Sequence, residues 1–194
     1  MSNTYYWADL HFGHRLVAAH RRFRDIADHD QAIIDAWDVT VTDHDTIYIL
    51  GDISSGSATG TRTALARISE RPGRKVLIAG NHDDVHPMNR PRPATLAAWA
   101  EVFDHITPVA YQKINGRRFL LSHFPYAGAG DHSEEERFTQ WRLPDLGMPL
   151  VHGHVHRKWS TNGHQLNVGV DYNTTPVPLR DIERWVLSQP EVTA

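Results

Sequence analysis

The chain has 194 residues, 40% of them hydrophobic and 22% charged, with a net charge of -3 and no cysteine. Those values fit one globular domain with its own core, spanning 1–194, and they rule out disulfides, zinc-thiolate sites and thiol nucleophiles together. No apolar run reaches the roughly 18 to 20 residues of a spanning helix, and no long basic run is present, so neither a membrane span nor strong sequence-independent binding to nucleic acid is expected. The outlier is histidine, at 14 residues.

Thr4 to Ala8 (T-Y-Y-W-A) is β-branched and aromatic and predicts a strand, which runs into Asp9-Leu10-His11-Phe12-Gly13-His14. The chain starts without the basic-then-apolar order of a signal peptide, so a soluble, cytoplasmic protein is expected. With extended backbone across Leu10, Asp9 and His11 point the same way off the strand end; the competing reading makes Asp9 the cap of the next helix. Arg15 to Arg24 is the one locally basic stretch and reads as a solvated helix face. Asp28 to Val39 has helical spacing through Ile33, Ile34 and Trp37, with Asp30 as its cap.

Thr46 to Leu50 (T-I-Y-I-L) is a nearly unbroken apolar run, the mark of a strand covered on both faces, and it ends in Gly51-Asp52. After the flexible run Ser54 to Gly60, Thr61 to Ile68 reads as a helix. Lys75 to Ala79 is a third strand, ending in Gly80-Asn81-His82-Asp83. Pro87 to Pro93 is a proline-rich loop and Leu96 to Phe103 a helix. Thr107 to Lys113 and Arg117 to Ser122 flank Asn115-Gly116, a strong hairpin signal, and the second of them delivers Ser122-His123.

Gly128 to Arg137 (G-A-G-D-H-S-E-E-E-R) is polar and reads as an exposed rim or mobile loop. Met148, Leu150 and Val151 lead a short buried strand into V-H-G-H-V-H, where His154 and His156 stand two apart and face one side if the backbone is extended. Neutral imidazole is the commonest side-chain metal ligand. Gln165 to Val170 reads as a return strand and Leu179 to Leu187 as a closing helix.

Asp9, His11, Asp52, Asn81, His123, His154 and His156 are thus ligand-type groups of mixed oxygen and nitrogen character at strand ends, where ligands gather in open α/β sheets. One zinc needs three or four ligands, so seven suggest two cations. The order D-L-H, G-D, G-N-H-D, H, G-H-V-H resembles the calcineurin-like metallophosphoesterase superfamily, in particular its small single-domain bacterial and phage-type members. The resemblance implies an α/β fold, a four-layer α-β-β-α sandwich with two facing mixed sheets. It implies that Asp9, His11 and His156 hold one metal, that Asn81, His123 and His154 hold the other, and that Asp52 bridges them.

It further implies hydrolysis of a phosphodiester, nucleotide-like and with cyclic nucleotides among the candidates, by a hydroxide shared between the cations. His82, the motif residue left without a metal, is expected as general acid, and Asp83 as its orienting carboxylate. His14, Asn81 and Tyr126 are candidate substrate contacts. Imidazole, carboxylate and one amide suit manganese, iron, zinc or nickel better than magnesium or calcium, and the resemblance puts manganese first. The run Gly51-Asp52-Ile53-Ser54-Ser55-Gly56 departs from the G-D-x-x-D-R-G of the phosphoprotein phosphatases, which argues against that activity. A nuclease, a nucleotide pyrophosphohydrolase or a phosphomonoesterase on the same site is the second reading. A non-catalytic interaction scaffold is the third, and its mark, missing ligands, is not seen.

Overall fold

The structure, a computed structural model, describes residues 2–191. Its elements run β1 (Thr4–Trp7), α1 (Arg15–His20), α2 (Ile26–Thr40), β2 (Thr46–Ile49), α3 (Ala58–Ser69), β3 (Arg74–Ile78), α4 (Pro93–Ala100), β4 (His105–Thr107), β5 (Val109–Ile114), β6 (Arg117–Ser122), β7 (Leu150–His152), β8 (Thr161–Asn162), β9 (Gln165–Asn167), β10 (Val177–Pro178) and α5 (Leu179–Ser188). They form two five-stranded mixed sheets, ordered β10-β1-β2-β3-β4 and β5-β6-β7-β9-β8. Strands β1 to β4 are parallel, in register from Tyr5 opposite Ile47 to Leu77 opposite Ile106, and only β10 is antiparallel. In the second sheet β6, β7 and β9 are parallel between antiparallel edges.

The first sheet is buried on both faces, as its near-continuous apolar strands require. Trp7, Ile47, Ile49 and Leu77 pack with Ile33 and Trp37 of α2, Leu65 and Ile68 of α3, and Trp99 and Phe103. Tyr6, Leu50 and Ile78 face the other way, onto Phe119, Leu121, Val151 and Val168, with Ile182 and Val186 of α5 closing that second core. The α/β class and the facing mixed sheets are as expected. The outer face of the second sheet, however, carries Arg118 and Lys113 beside Leu120 and is lined by irregular chain, Leu143 to Pro149, instead of a full helical layer; strands with charge on that face offer a helix too little apolar surface to bury.

Several boundaries differ from the sequence expectation for local reasons. The run Thr107 to Lys113 is split at Pro108, which has no N–H for a ladder, so the chain leaves the first sheet after β4 and enters the second at β5. Helix α4 starts at Pro93, in the first-turn position where the missing N–H costs nothing, and Phe103 packs beyond its end. Helix α2 is capped by Asp25, whose side chain accepts from Asp28 N, and not by Asp30. Asp30 is buried in the helix and accepts from Gly13 N at 3.0 Å and His29 Nδ1 at 2.8 Å, with Arg67 beside it. The hairpin turn is as predicted, with Asn115 at φ 46° and Gly116 at φ 85°.

Candidate metal centre

The carboxyl ends of five parallel strands converge on one place. β1 delivers Asp9 and His11, β2 delivers Asp52, β3 delivers Asn81 and His82, β6 delivers His123, and β7 delivers His154 and His156. Asp9, His11 and His156 form one group in which a ligand atom of each lies within 4.8 Å of the others; Asp52, His123 and His154 form a second. Both groups draw on both sheets. Asp52 Oδ2 lies between them, 3.8 Å from His11 Nε2 and 3.4 Å from His123 Nε2. Asn81 Oδ1 is 3.1 Å from the same His123 nitrogen.

The local backbone is not the extended one read from the two-residue spacing. Asp9, His11, Asp52, His154 and His156 have φ of 59°, 51°, 55°, 71° and 47°. These left-handed values are uncommon for residues with a Cβ, though Asp and His are enriched among the exceptions, and such residues cluster at functional sites because the surroundings hold them there. Here Asp9 N donates to Gly51 O at 3.0 Å, His11 N to Asp52 O at 2.9 Å, and His154 N to the Asp9 carboxylate at 3.0 Å. Asp9 therefore caps no helix; the side chain at the start of α1 is that of His14. Gly80 permits the close approach of the strand ends, since a Cβ there would come within 2.8 Å of Asp52 N and His123 Cγ.

Each histidine is held by one ring nitrogen and presents the other. His11 Nδ1 donates to Ser54 O at 3.1 Å and His123 Nδ1 to Leu50 O at 2.8 Å. His154 Nε2 donates to Asp131 Oδ2 at 3.0 Å and His156 Nδ1 to Asp171 Oδ2 at 2.9 Å. Because carbonyls and carboxylates only accept, these partners fix the tautomers and leave a lone pair on His11 Nε2, His154 Nδ1 and His156 Nε2. His11 Nε2 and His154 Nδ1 are buried without a hydrogen-bond partner. A buried acceptor without a partner is costly, and a divalent cation is the natural electrophile for lone pairs set among Asp9 and Asp52. The donor set fits such a cation.

Electrostatics agree. Burial holds His11 well below the usual imidazole range and His154 at about 3, so both are neutral. Burial opposes charge on His123 too, but Asp52 overrules it and raises the ring to about 9. Burial would raise Asp52; His123 and His11 instead hold it well below its usual range. Without a cation, a proton on His123 is what balances Asp52.

Other predicted residues fall differently. His82 is half-exposed at the cleft beside the two groups, its Nε2 4.0 Å from Asp52 Oδ2 and its N–H donating to Asp52 Oδ1 at 2.8 Å. Asp83 does not bond the His82 ring: its buried carboxylate accepts from Gly80 N at 2.7 Å, Asp52 N at 3.0 Å and Ile53 N at 3.1 Å, so it pins two motif turns to each other. His14 lines the cleft with His82. Tyr126 does not; it is buried, with its hydroxyl donating to Met148 O at 2.7 Å, and it lines a groove on the second sheet's outer face.

Sequence reasoning missed the carboxylates behind the histidines. Asp131, in the polar run expected to be an exposed or mobile loop, is buried and accepts from Arg142 Nη2 at 2.7 Å as well as from His154. Nothing local distinguishes it from the acids around it. Asp171 stands just past the predicted Gln165 to Val170 strand, so the strand-end rule that found Asp52 would have found it. It accepts from Arg21 Nη2 at 2.8 Å. Arg21 is the buried member of the basic stretch otherwise exposed along α1.

The family model for calcineurin-like phosphoesterases matches residues 7–158. The chain belongs to the calcineurin-like phosphoesterase family. Within it, this phosphoesterase-family chain is 47% identical over 183 residues to the "Gene 66 protein" of Mycobacterium phage L5, covering 88% of this chain and 87% of the relative. It is 42% identical over 195 residues to the "Gene 66 protein" of Mycobacterium phage D29, covering 96% of each. Among solved structures, it resembles a protein of unknown function from Aquifex aeolicus, with TM-score 0.71 and 25% identity over 95% of this chain and 99% of that one. Among the described residues no helix is long and apolar enough to cross a membrane.

Proposed function

We propose that the protein is a dinuclear metal-dependent phosphodiesterase, with Asp9, His11 and His156 holding one divalent cation, Asn81, His123 and His154 the other, and Asp52 touching both. The observation that carries the reading is Asp52 Oδ2, set 3.8 Å from one unpaired imidazole nitrogen and 3.4 Å from a nitrogen of the other group. Two divalent cations held by these residues would supply positive charge to phosphoryl oxygens and a water far more acidic than bulk water. Manganese is the first choice of metal, with iron, zinc or nickel compatible with the same oxygen and nitrogen donors.

The chain's own groups do the rest. Asn81 turns its Oδ1 to His123, which leaves its amide N–H groups for a phosphoryl oxygen. His82 stands at the cleft with its Nε2 4.0 Å from Asp52 Oδ2 and its ring bonded by no carbonyl or carboxylate, so it is placed to give the leaving oxygen a proton. Asp83 keeps the Asp52 and Gly80 turns in contact and so positions both. Substrates are open or cyclic phosphodiesters of nucleotide type.

The test is hydrolysis of bis(4-nitrophenyl) phosphate by chelator-stripped protein reloaded with Mn²⁺, Fe²⁺, Zn²⁺ or Ni²⁺. Turnover that returns with metal and stops with chelator is expected. Stoichiometric metal binding with no turnover on diesters, monoesters or nucleoside polyphosphates would sink the enzymatic reading and leave the scaffold.

A further inference from the structure

Two buried carboxylates stand behind the last histidine pair, and each is reached by one buried and one exposed arginine. Asp131 is matched by Arg142, 2.7 Å away with neither side chain exposed. Arg137 also reaches Asp131, at 3.2 Å, from a side chain that is 44% exposed. Asp171 is matched by buried Arg21 at 2.8 Å. Arg157 also reaches it, at 3.5 Å, from a side chain that is 53% exposed. His154 and His156 each share one of these carboxylates. At Asp171 the buried Arg21 completes the ion pair and Arg157 adds positive charge at the rim; at Asp131 the buried Arg142 is shared with Glu136 at 2.8 Å, and Arg137 is the exposed cation of that cluster.

Both outer arginines line the cleft that contains His11, Asp52, Asn81, His82 and His156, and Lys158, exposed and without an ion pair among the described residues, lines it with them. α1 contributes apolar surface to the cleft, Leu16, 65% exposed, and Val17, between His14 and His20. The cleft is open, with a volume of about 690 Å³, within the roughly 300 to 1,000 Å³ usual for ligand pockets.

A diester has one negative charge at the scissile group, and the cations proposed above already answer it. Three further cationic side chains line the same cleft, Lys158 with no ion pair among the described residues and Arg137 and Arg157 each about half-exposed beyond the carboxylate it reaches, which suits a substrate with more phosphates. Arg137 and Arg157 are anchored on different carboxylates, Asp131 and Asp171. Arg137 stands beside the His154 group and Arg157 with Lys158 beside the His156 group, which suits phosphates separated by nucleosides, whose sugar and base can lie along Leu16 and Val17.

We propose that the substrate is a short single-stranded oligonucleotide, with phosphates flanking the scissile diester held by Arg137 at one rim and by Arg157 and Lys158 at the other. This rests on the phosphodiesterase reading. It is compatible with a net charge of -3, because the recognition is confined to the cleft and a surface that is not basic overall gives no general affinity for nucleic acid.

The test uses Mn²⁺-loaded protein with pentathymidylate, bis(4-nitrophenyl) phosphate, a 2′,3′-cyclic mononucleotide and a nucleoside triphosphate as substrates. The wild type is expected to show a KM for pentathymidylate at least about tenfold below that for the aryl diester, as one charge-assisted contact allows. The double variant Arg157→Gln/Lys158→Gln should bring the two KM values together. It should also flatten the slope of log KM against log salt for pentathymidylate by about 1.4, which is two phosphate contacts on a single strand. Arg137→Gln should shift the ratio in the same direction. Equal loss on both substrates, an unchanged ratio, or preference for the cyclic mononucleotide or the triphosphate overturns the proposal while leaving the phosphodiesterase reading intact. No turnover of any diester overturns both.

Discussion

Replacing Asp131 by Asn tests whether the metal centre depends on a carboxylate outside the family motifs. Oδ2 of Asp131 accepts from Arg142 Nη2 at 2.7 Å, His154 Nε2 at 3.0 Å and Arg137 N at 3.2 Å, while Oδ1 accepts from His132 N at 2.7 Å and Arg137 Nη2 at 3.2 Å. An amide keeps one acceptor, so in either orientation its NH₂ is turned against at least two donors. Breaking a buried ion pair costs about 3 to 5 kcal/mol. The low end applies, because Glu136 still faces Arg142 at 2.8 Å; we expect a loss of about 3 kcal/mol.

Separately, His154 exchanges a charged acceptor for a neutral amide oxygen or loses its acceptor, and loss of such a partner costs about ten- to a hundredfold in metal affinity at comparable sites. Urea unfolding of the chelated protein measures the first quantity and calorimetric titration with Mn²⁺ the second. A stability loss below about 1 kcal/mol together with unchanged metal affinity would refute the reasoning, since a lone hydrogen bond of an exposed loop accounts for that much. Asp171→Asn is the parallel perturbation at His156.

His82→Ala is expected to lower kcat by about a hundredfold to ten-thousandfold with metal content unchanged, measured by turnover and elemental analysis, as for loss of a general acid; an unchanged kcat removes that role. The carboxyls of Asp131 and Asp171 are opposed by burial but held well below their usual range, chiefly by His154 and by His156 with Arg21 respectively. Depressed folded values mean that their stabilisation is fully present above the unfolded carboxylate range near about pH 4 and is lost as pH falls towards the folded values. Tryptophan fluorescence should show acid unfolding that steepens below about pH 4, less steeply in Asp131→Asn. Tyr126→Phe should cost about 1 kcal/mol in urea unfolding, through its bond to Met148 O, and leave KM unchanged; a raised KM would restore it as a substrate contact.

The strands that carry the centre were legible because they are short, apolar and closed by Gly-Asp, Gly-Asn or His turns, a pattern that survives without knowing what packs on them. Their end geometry was not. A two-residue spacing is compatible with extended backbone, yet Asp9, His11, His154 and His156 all adopt left-handed angles, which are imposed by partners such as Gly51 O and Asp52 O from a neighbouring strand. Asp83 shows the same limit: next to His82 in sequence, it bonds amides some thirty positions back. Asp131 was hidden for another reason. Its burial is produced by Arg142, eleven residues on, and an acidic run with that partner reads like one without it.

Each proposed cation takes ligands from both sheets, Asp9 and His11 with His156 on one side, Asp52 with His123 and His154 on the other. Filling the site therefore rivets the sandwich along its open edge, and emptying it unfastens the same edge. On the proposed reading, loss of metal would remove hydrolysis and the tie between the sheets in one event, and the seam between the layers would be the first place for a protease to enter.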